Sequence, residues 1–268
     1  MVPVSVVIIT KNEAEMILHS ISMAKLITDD IIIVDNSSSD DTEKIALANG
    51  CHIYHENWDG YGANKNKGIA RARYNWILSI DADEVIDPQL AAALHELNYD
   101  DRHVVYDIDF KTYFGNKRIR FGSWGRDHHI RLFNRQLVKW SEMPVHETLL
   151  LPASMVKKKL PGYINHYSVK DEDECRAKAI HYAGLSARKH YIAGKKAGFI
   201  KLYLSPCFNF IRNYFLYLGL LDGKQGWIIA KNTAKHTWMK YHLLKQLAHA
   251  GKRKAYTKNR LAYSYTAD

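Results

Sequence analysis

The chain has 268 residues, 47% hydrophobic and 25% charged, enough for one large or two small cores and too apolar for a disordered chain. Its three cysteines, Cys51, Cys175 and Cys207, make no Cys-x-x-Cys pair, which excludes a disulfide scaffold and fits a reducing compartment. The net charge of +10 is unevenly spread: residues 1–150 carry 16 Lys and Arg against 22 Asp and Glu (−6), residues 151–268 carry 22 against 6 (+16).

The first hundred residues alternate strand and helix patterns, beginning almost at the N-terminus with no signal-peptide pattern. Val4 to Thr10 is a β-branched run suited to a strand buried on both faces. A helix is expected from about Glu13 to Lys25, with Ile17, Ile21 and Ala24 on one face. Ile31 to Val34 is a second strand. The turn that follows feeds a helix, and Asp40 with Glu43 has capping-box spacing. Cys51 to Tyr54 reads as a third strand, Asn64 to Arg73 as a helix and Trp76 to Ile80 as a fourth strand, with Pro88 placed to open a further helix. Such alternation implies a mainly parallel sheet with right-handed crossovers.

Val104 to Phe110 is one more strand, and Lys111 to His166 reads as loops and short strands. From Asp171 the pattern turns helical, with Asp171-Glu172-Asp173-Glu174 favourable against the helix dipole. Phe199 to Leu221 is strongly apolar but contains Lys201, Pro206 and Arg212, so it fails as an uninterrupted membrane span. Its aromatics, set among basic residues and followed by Trp227 and Trp238, have the composition of a helix lying in a membrane interface; a helix packed on the sheet domain is the plainer reading.

The acidic block Asp81-Ala82-Asp83-Glu84 ends the fourth strand with nothing basic beside it in sequence, an arrangement that a hard divalent cation would relieve. Thr10-Lys11-Asn12-Glu13 and Asp35 end the first and second strands. In a parallel sheet these ends share one edge, where open α/β sheets keep their ligand crevice. Nucleotide fingerprints of other classes are missing. Gly60-Tyr61-Gly62 is followed by Lys65 where a dinucleotide motif needs glycine, and there is no phosphate-loop sequence.

Val4-Ser5-Val6-Val7-Ile8-Ile9-Thr10-Lys11-Asn12-Glu13, Ile33-Val34-Asp35-Asn36-Ser37-Ser38-Ser39-Asp40-Asp41-Thr42, Asn64-Lys65-Asn66-Lys67-Gly68-Ile69 and Ile80-Asp81-Ala82-Asp83-Glu84 together resemble the family 2 glycosyltransferases of the GT-A fold. Asp127-His128-His129-Ile130-Arg131-Leu132-Phe133, Val145-His146-Glu147 and His166-Tyr167-Ser168 resemble a narrower branch, the bacterial lipopolysaccharide-core glucosyltransferases. The resemblance implies a GT-A-type α/β domain over residues 1–168 and a helical extension over 169–268. It implies a metal-dependent, inverting transfer of a hexose from a nucleotide-sugar, with UDP as the expected carrier, to a cell-envelope glycan or lipid-anchored acceptor.

The same resemblance assigns roles. Asp35, Thr10, Asn12 and Glu13 would bind the nucleoside, Lys65 would sit near the nucleotide, and Asp83 would hold a Mg²⁺ or Mn²⁺ ion. Asp81 would contact sugar, ribose or the metal. Asp127 is the first choice of base for the acceptor hydroxyl, although Arg126 stands where relatives commonly have Glu, and Glu147 is the alternative. One base suffices for an inverting transfer. Trp124 is a candidate to stack on a sugar, while His146 and His166 read as structural hydrogen-bonders. The basic half suggests attachment to the inner face of the cytoplasmic membrane. The rival readings are a nucleotidyltransferase, which would need a glycine-rich loop that Thr10-Lys11-Asn12-Glu13 lacks, and a nucleic-acid binder, which lacks any recognisable RNA-binding motif.

Overall fold

Apolar runs dominate the centre of the molecule's sheet because their side chains are covered on both faces. The structure, a computed structural model, describes residues 1–142 and 147–264, with side chains to residue 250. Its elements, in order, are β1 (Val4–Thr10), α1 (Ile17–Ala24), β2 (Ile31–Asp35), α2 (Thr42–Ala48), β3 (His52–His55), α3 (Tyr61–Arg71), β4 (Trp76–Asp81), β5 (Glu84–Ile86) and α4 (Pro88–His95). There follow β6 (Val104–Phe114), β7 (Lys117–Arg118), β8 (His128–Asn134), β9 (Lys139–Trp140), β10 (Leu149–Leu150), β11 (Val156–Val169), α5 (Glu172–Ile192), α6 (Ser205–Ile211) and α7 (Gly223–Ser264).

The main sheet runs β3-β2-β1-β4-β8-β6-β11-β5, with β7 on β6. The first four strands are parallel neighbours, as the βα alternation predicts, while β8 lies antiparallel between β4 and β6. Every residue of β1 and β2 is buried. Val4, Val6 and Ile8 face a core shared with Ile17 and Ile21 of α1 and Leu90 and Leu94 of α4. Val7, Ile9, Ile32, Val34 and Ile77 face the opposite side, with Ile69 of α3 and Phe133 of β8. Chain contacts divide the protein into two units, Met1–Val169 and Lys170–Asp268.

Helix α3 lies close on β1 and β2 because residue 68 is glycine. A Cβ there would come within 2.6 Å of Val7 and 2.7 Å of Val34. Gly68→Ala is therefore expected to lower unfolding stability by about 1–3 kcal/mol, the usual cost of overpacking a filled core, as read by chemical denaturation. An unchanged midpoint would mean that the helix can ride outward freely.

Three local expectations are corrected. The first turn of α1 is pinned by its neighbour loop, where the Glu13 and Ala14 N–H groups donate to Thr42 Oγ1 (2.8 Å) and Asp40 Oδ2 (3.0 Å), and the helix proper starts at Ile17. The Asp40–Glu43 capping box does not form. Asp40 accepts the Thr42 N–H instead (3.1 Å), and Glu43 turns toward His55 (3.2 Å). The region read as loops and short strands holds the 14-residue β11. Its lysines join a strand because Lys157 and Lys159 make ion pairs with Asp107 (2.9 Å) and Asp109 (2.7 Å) of β6. Pro161 is tolerated because the register shifts between Lys159 and Tyr163, where Gly162 takes φ +93° with no room for a Cβ against Leu90.

In the second unit, Asp171 caps α5 by accepting the Glu174 N–H (2.8 Å), as the acidic helix start predicts. Phe199 to Leu221 is a broken helical segment: π-helical turns at Ile200–Leu204 and Arg212–Leu216 flank α6, and a 3₁₀ turn at Gly219–Asp222 leads into α7. Among the described residues no helix is long and apolar enough to cross a membrane.

Candidate active site

Parallel pairing places the ends of β1, β2 and β4 side by side: Thr10 lies opposite Asp35, and Ile9 opposite Asp81. The loops after β1 and β2 are tied together. The Asn12 N–H donates to Ser38 Oγ (2.9 Å) and the Ser39 N–H to Asn12 Oδ1 (2.7 Å). Asn12 and Ser37 both hold left-handed backbone, with φ of 55° and 61°. Asp35 is 2% exposed and accepts the Ser38 N–H (3.0 Å) and the Ser38 hydroxyl, with His55 Nδ1 at 3.7 Å. Thr10 Oγ1 and Asn36 Oδ1 are buried with no hydrogen-bond partner among the described residues. Buried polar atoms left open at a strand edge suit a ligand that completes them.

The acidic end of β4 is not short of cations. Lys65, fully buried on α3, places Nζ 3.1 Å from Asp81 Oδ1, 3.1 Å from Glu147 Oε1 and 4.6 Å from the Trp140 ring. Asn66, next in the helix, bonds both backbone groups of Trp140 and holds that ring in place. Arg131 of β8 pairs with Glu84 and lies 3.6 Å from Asp81 Oδ2. Burial alone would raise the Asp81 carboxyl, but Lys65 and Arg131 outweigh it and hold it down to about 2. Burial keeps Glu84 above its ordinary value despite Arg131.

Two basic residues distant in sequence thus neutralise Asp81 and Glu84, a countercharge that the block's neighbours in sequence do not show. Lys65→Met leaves Asp81 and Glu147 without their shared partner. It should cost about 3 kcal/mol, the lower end for breaking a buried pair because Asp81 keeps some water contact. A carboxyl depressed from 3.8 to about 2 contributes stability above pH 4 that is lost as the pH falls toward 2. The variant should flatten that acid limb in denaturation series, and an unchanged limb would show that Lys65 is not the cause.

Asp83 stands in the turn between β4 and β5. Its carbonyl accepts the Tyr167 N–H (3.0 Å), and β5 pairs with β11 so that Glu84 lies opposite His166. His166 Nε2 therefore comes within 3.5 Å of Asp83 Oδ2. Burial disfavours the imidazolium, yet the charge and hydrogen bond of Asp83, with Glu84 and Asp81 behind it, carry His166 up to about 9. The Phe110 ring meets both His166 (6.2 Å) and His129 (5.1 Å) edge-on.

His129 Nε2 lies 2.9 Å from Asp127 Oδ1, and the Asp127 carbonyl accepts the Phe110 N–H (2.9 Å). The Asp127 side chain is 38% exposed. Burial pushes its carboxyl up, but His129, His166 and Arg131 together hold it below the ordinary value, ionised at neutral pH. Asp83, His166, His129 and Asp127 form one neighbourhood around Phe110. Glu147 shares Lys65 with Asp81 and also faces Arg131 electrostatically. Trp124 is half-buried, its ring 6.4 Å from that of Phe114, and His146 lies outside the described residues.

Sequence reasoning missed Arg131, His129 and the pairing of His166 with Asp83. Only the Asp127–Phe133 and His166–Ser168 motifs pointed at them; His129 pairs with Asp127 two residues away, whereas the partners of Arg131 and His166 lie more than 40 residues away in sequence.

Comparison with known proteins agrees with this geometry. Residues 5–150 match the family model "Glycosyl transferase family 2". The chain is 28% identical over 236 residues to an uncharacterised glycosyltransferase of Rickettsia typhi, covering 84% of this chain and 80% of that one. It is 26% identical over 244 residues to the lipopolysaccharide core biosynthesis glycosyltransferase LpsC of Rhizobium meliloti, covering 88% and 90%. A solved glucosyl-3-phosphoglycerate synthase of Mycobacterium tuberculosis overlays with a TM-score of 0.34 at 23% identity, spanning 42% of this chain and 44% of that one, too little to inform the site. With a mainly parallel β3-β2-β1-β4 sheet, three polar strand ends on one edge and more than half its length matched, the chain belongs to glycosyl transferase family 2.

Proposed function

We propose that the protein is a metal-dependent, inverting hexosyltransferase that uses a UDP-sugar and a lipid-anchored cell-envelope acceptor of the lipopolysaccharide-core type. The observation that carries this reading is the convergence of the Asp35 crevice, the Asp83–His166 pair and Asp127 on one sheet edge. The likeness to the Rhizobium protein supports the acceptor class.

The residues present fit a divalent cation of the kind shared with a diphosphate. Among the described residues no three His, Cys, Asp or Glu side chains form a closed metal cage. Mg²⁺ commonly takes only one or two protein ligands and completes its shell with substrate phosphates and water. Asp83 and His166 would supply those ligands, His166 once deprotonated, while Asp81 is already engaged by Lys65 and Arg131. When bound, the ion would stabilise negative charge on the leaving diphosphate.

The chain's own residues do the rest. Asp35 and the loops of Thr10, Asn12 and Glu13 hold the nucleoside. Lys65 acts by fixing and neutralising Asp81 rather than by meeting solvent. Asp127 accepts the proton of the acceptor hydroxyl as its oxygen attacks the anomeric carbon, the bond to diphosphate breaks, and the configuration inverts. The basic second unit holds the enzyme at the inner leaflet.

The test is a UDP-release assay across nucleotide-sugars, with and without Mn²⁺ or Mg²⁺. Cation-dependent release from one UDP-hexose is expected. Release from a nucleotide-sugar of another base, or full turnover in chelator, would overturn the donor or the metal assignment.

A further inference from the structure

The second unit carries a helical segment that leaves most of its apolar side chains uncovered. Along residues 200–215 the side chains Ile200, Leu204, Phe208, Ile211 and Phe215, spaced by three or four, are all exposed, Phe208 by 56%. The opposite side buries only Leu202 and Pro206 beside a polar pair. Asn213 is 2% exposed and donates to the Asn209 carbonyl (3.0 Å), and Asn209 donates to Thr237 Oγ1 of α7 (2.9 Å). A helix that meets water does the reverse, turning its apolar stripe inward. An exposed apolar face of this extent marks a surface that something covers.

Helix α7 adds a second stripe. Trp227, Lys231, Lys235 and Trp238, again three or four apart, are exposed, and Trp227 packs edge-on against Phe210 (5.2 Å) and Tyr214 (5.4 Å). Residues 175–250 contain 13 Lys and Arg against one acidic residue, Asp222, which is buried. Between α6 and α7 lies an apolar cleft of about 430 Å³ whose lining includes Leu202, Tyr203, Pro206, Cys207, Lys235 and Trp238.

We infer that this face is a bilayer interface selective for anionic lipid. The Ile200–Phe215 stripe sinks into the boundary between headgroups and acyl chains, and the two tryptophans lie at headgroup level. Lys231 and Lys235 meet lipid phosphates, and the cleft receives part of an acyl chain. Aromatic and basic residues alternating beside an apolar stripe are the chemistry of such an interface, and the near absence of acidic groups sets its sign. A second copy of the chain would bring the same positive charge against itself. The inference deepens the proposed attachment to the inner leaflet. Its test uses vesicles without any sugar donor, so failure of lipid binding and failure of sugar transfer are separate results.

Cys207 provides the probe, because it is exposed in the cleft while Cys51 and Cys175 are buried with thiols pushed up to about 11. A solvent-sensitive thiol fluorophore attached there at neutral pH should shift to the blue with phosphatidylglycerol vesicles, much less with phosphatidylcholine alone, and less again at high salt. Unlabelled protein should co-sediment in the same order. Lys231→Gln with Lys235→Gln should weaken partitioning about 30-fold, from two surface charges. Phe208→Ser with Phe215→Ser, both at exposed positions, should abolish the shift with the fold retained by circular dichroism. Full recovery in the supernatant with anionic vesicles at low salt would overturn the inference. So would a shift that grows with protein concentration in the absence of lipid, which would make the cover a second copy.

Discussion

Asp83→Ala is expected to remove cation-dependent UDP binding and to lower transfer by about 10²–10⁴-fold, the equivalent of several kcal/mol of charge stabilisation at the leaving diphosphate. The fold should survive, because the turn is held by main-chain bonds: the Asp83 carbonyl to the Tyr167 N–H and the Asp87 N–H to the Tyr163 carbonyl (2.9 Å). Asp81→Asn gives the contrast. It removes the partner of Lys65 and Arg131, so stability should fall along with activity. Isothermal titration with UDP, with and without Mn²⁺, separates the two. An Asp83→Ala enzyme that turns over like the parent, in chelator or out of it, would end the metal assignment.

Asp127→Asn should leave UDP affinity nearly unchanged and depress kcat by about 10²–10⁴-fold, the range for losing general-base assistance. The amide keeps the shape and the contact with His129, so only the proton acceptor is lost. Glu147→Gln is the control. Glu147 is bonded to Lys65 on the α3 side, so its loss should show mainly as lower stability. A normal kcat in Asp127→Asn together with a folded but inactive Glu147→Gln would exchange the two roles.

The parallel half of the fold was legible because β1, β2 and β4 are apolar apart from Ser5 and Ser79 and end at polar residues, which sets both their burial and the edge where their ends meet. β11 was not. Its burial alternates only after Leu160, and its first residues are lysines stabilised by carboxylates some 50 residues earlier, a pairing with no local signature. The same holds in the site. Asp35, Asp81 and Asp83 could be picked out as strand ends, whereas the neutralising of Asp81 depends on Lys65 and Arg131 arriving from a helix and an antiparallel strand. Neighbours in sequence alone do not reveal the two cations that meet this block. The apolar stretch after Phe199 was readable in composition, but which side faces inward depends on where Asn209 and Thr237 meet.

The left-handed backbone at Asn12 and Ser37 has a kinetic consequence. Neither residue is glycine, so each conformation costs free energy that the surrounding bonds must offset. Here Asn12 does so itself, joining the loop after β1 to the loop after β2 through Ser38 and Ser39. The ordering of both loops is thereby completed when the chain folds. A ligand entering that crevice need not wait for the walls to form, so its association should follow a single phase limited by encounter. Asn12→Gly would relax the strain and lose the side-chain bonds to Ser39 while its own N–H still reaches Ser38, so the loops should be held more loosely and the donor captured more slowly.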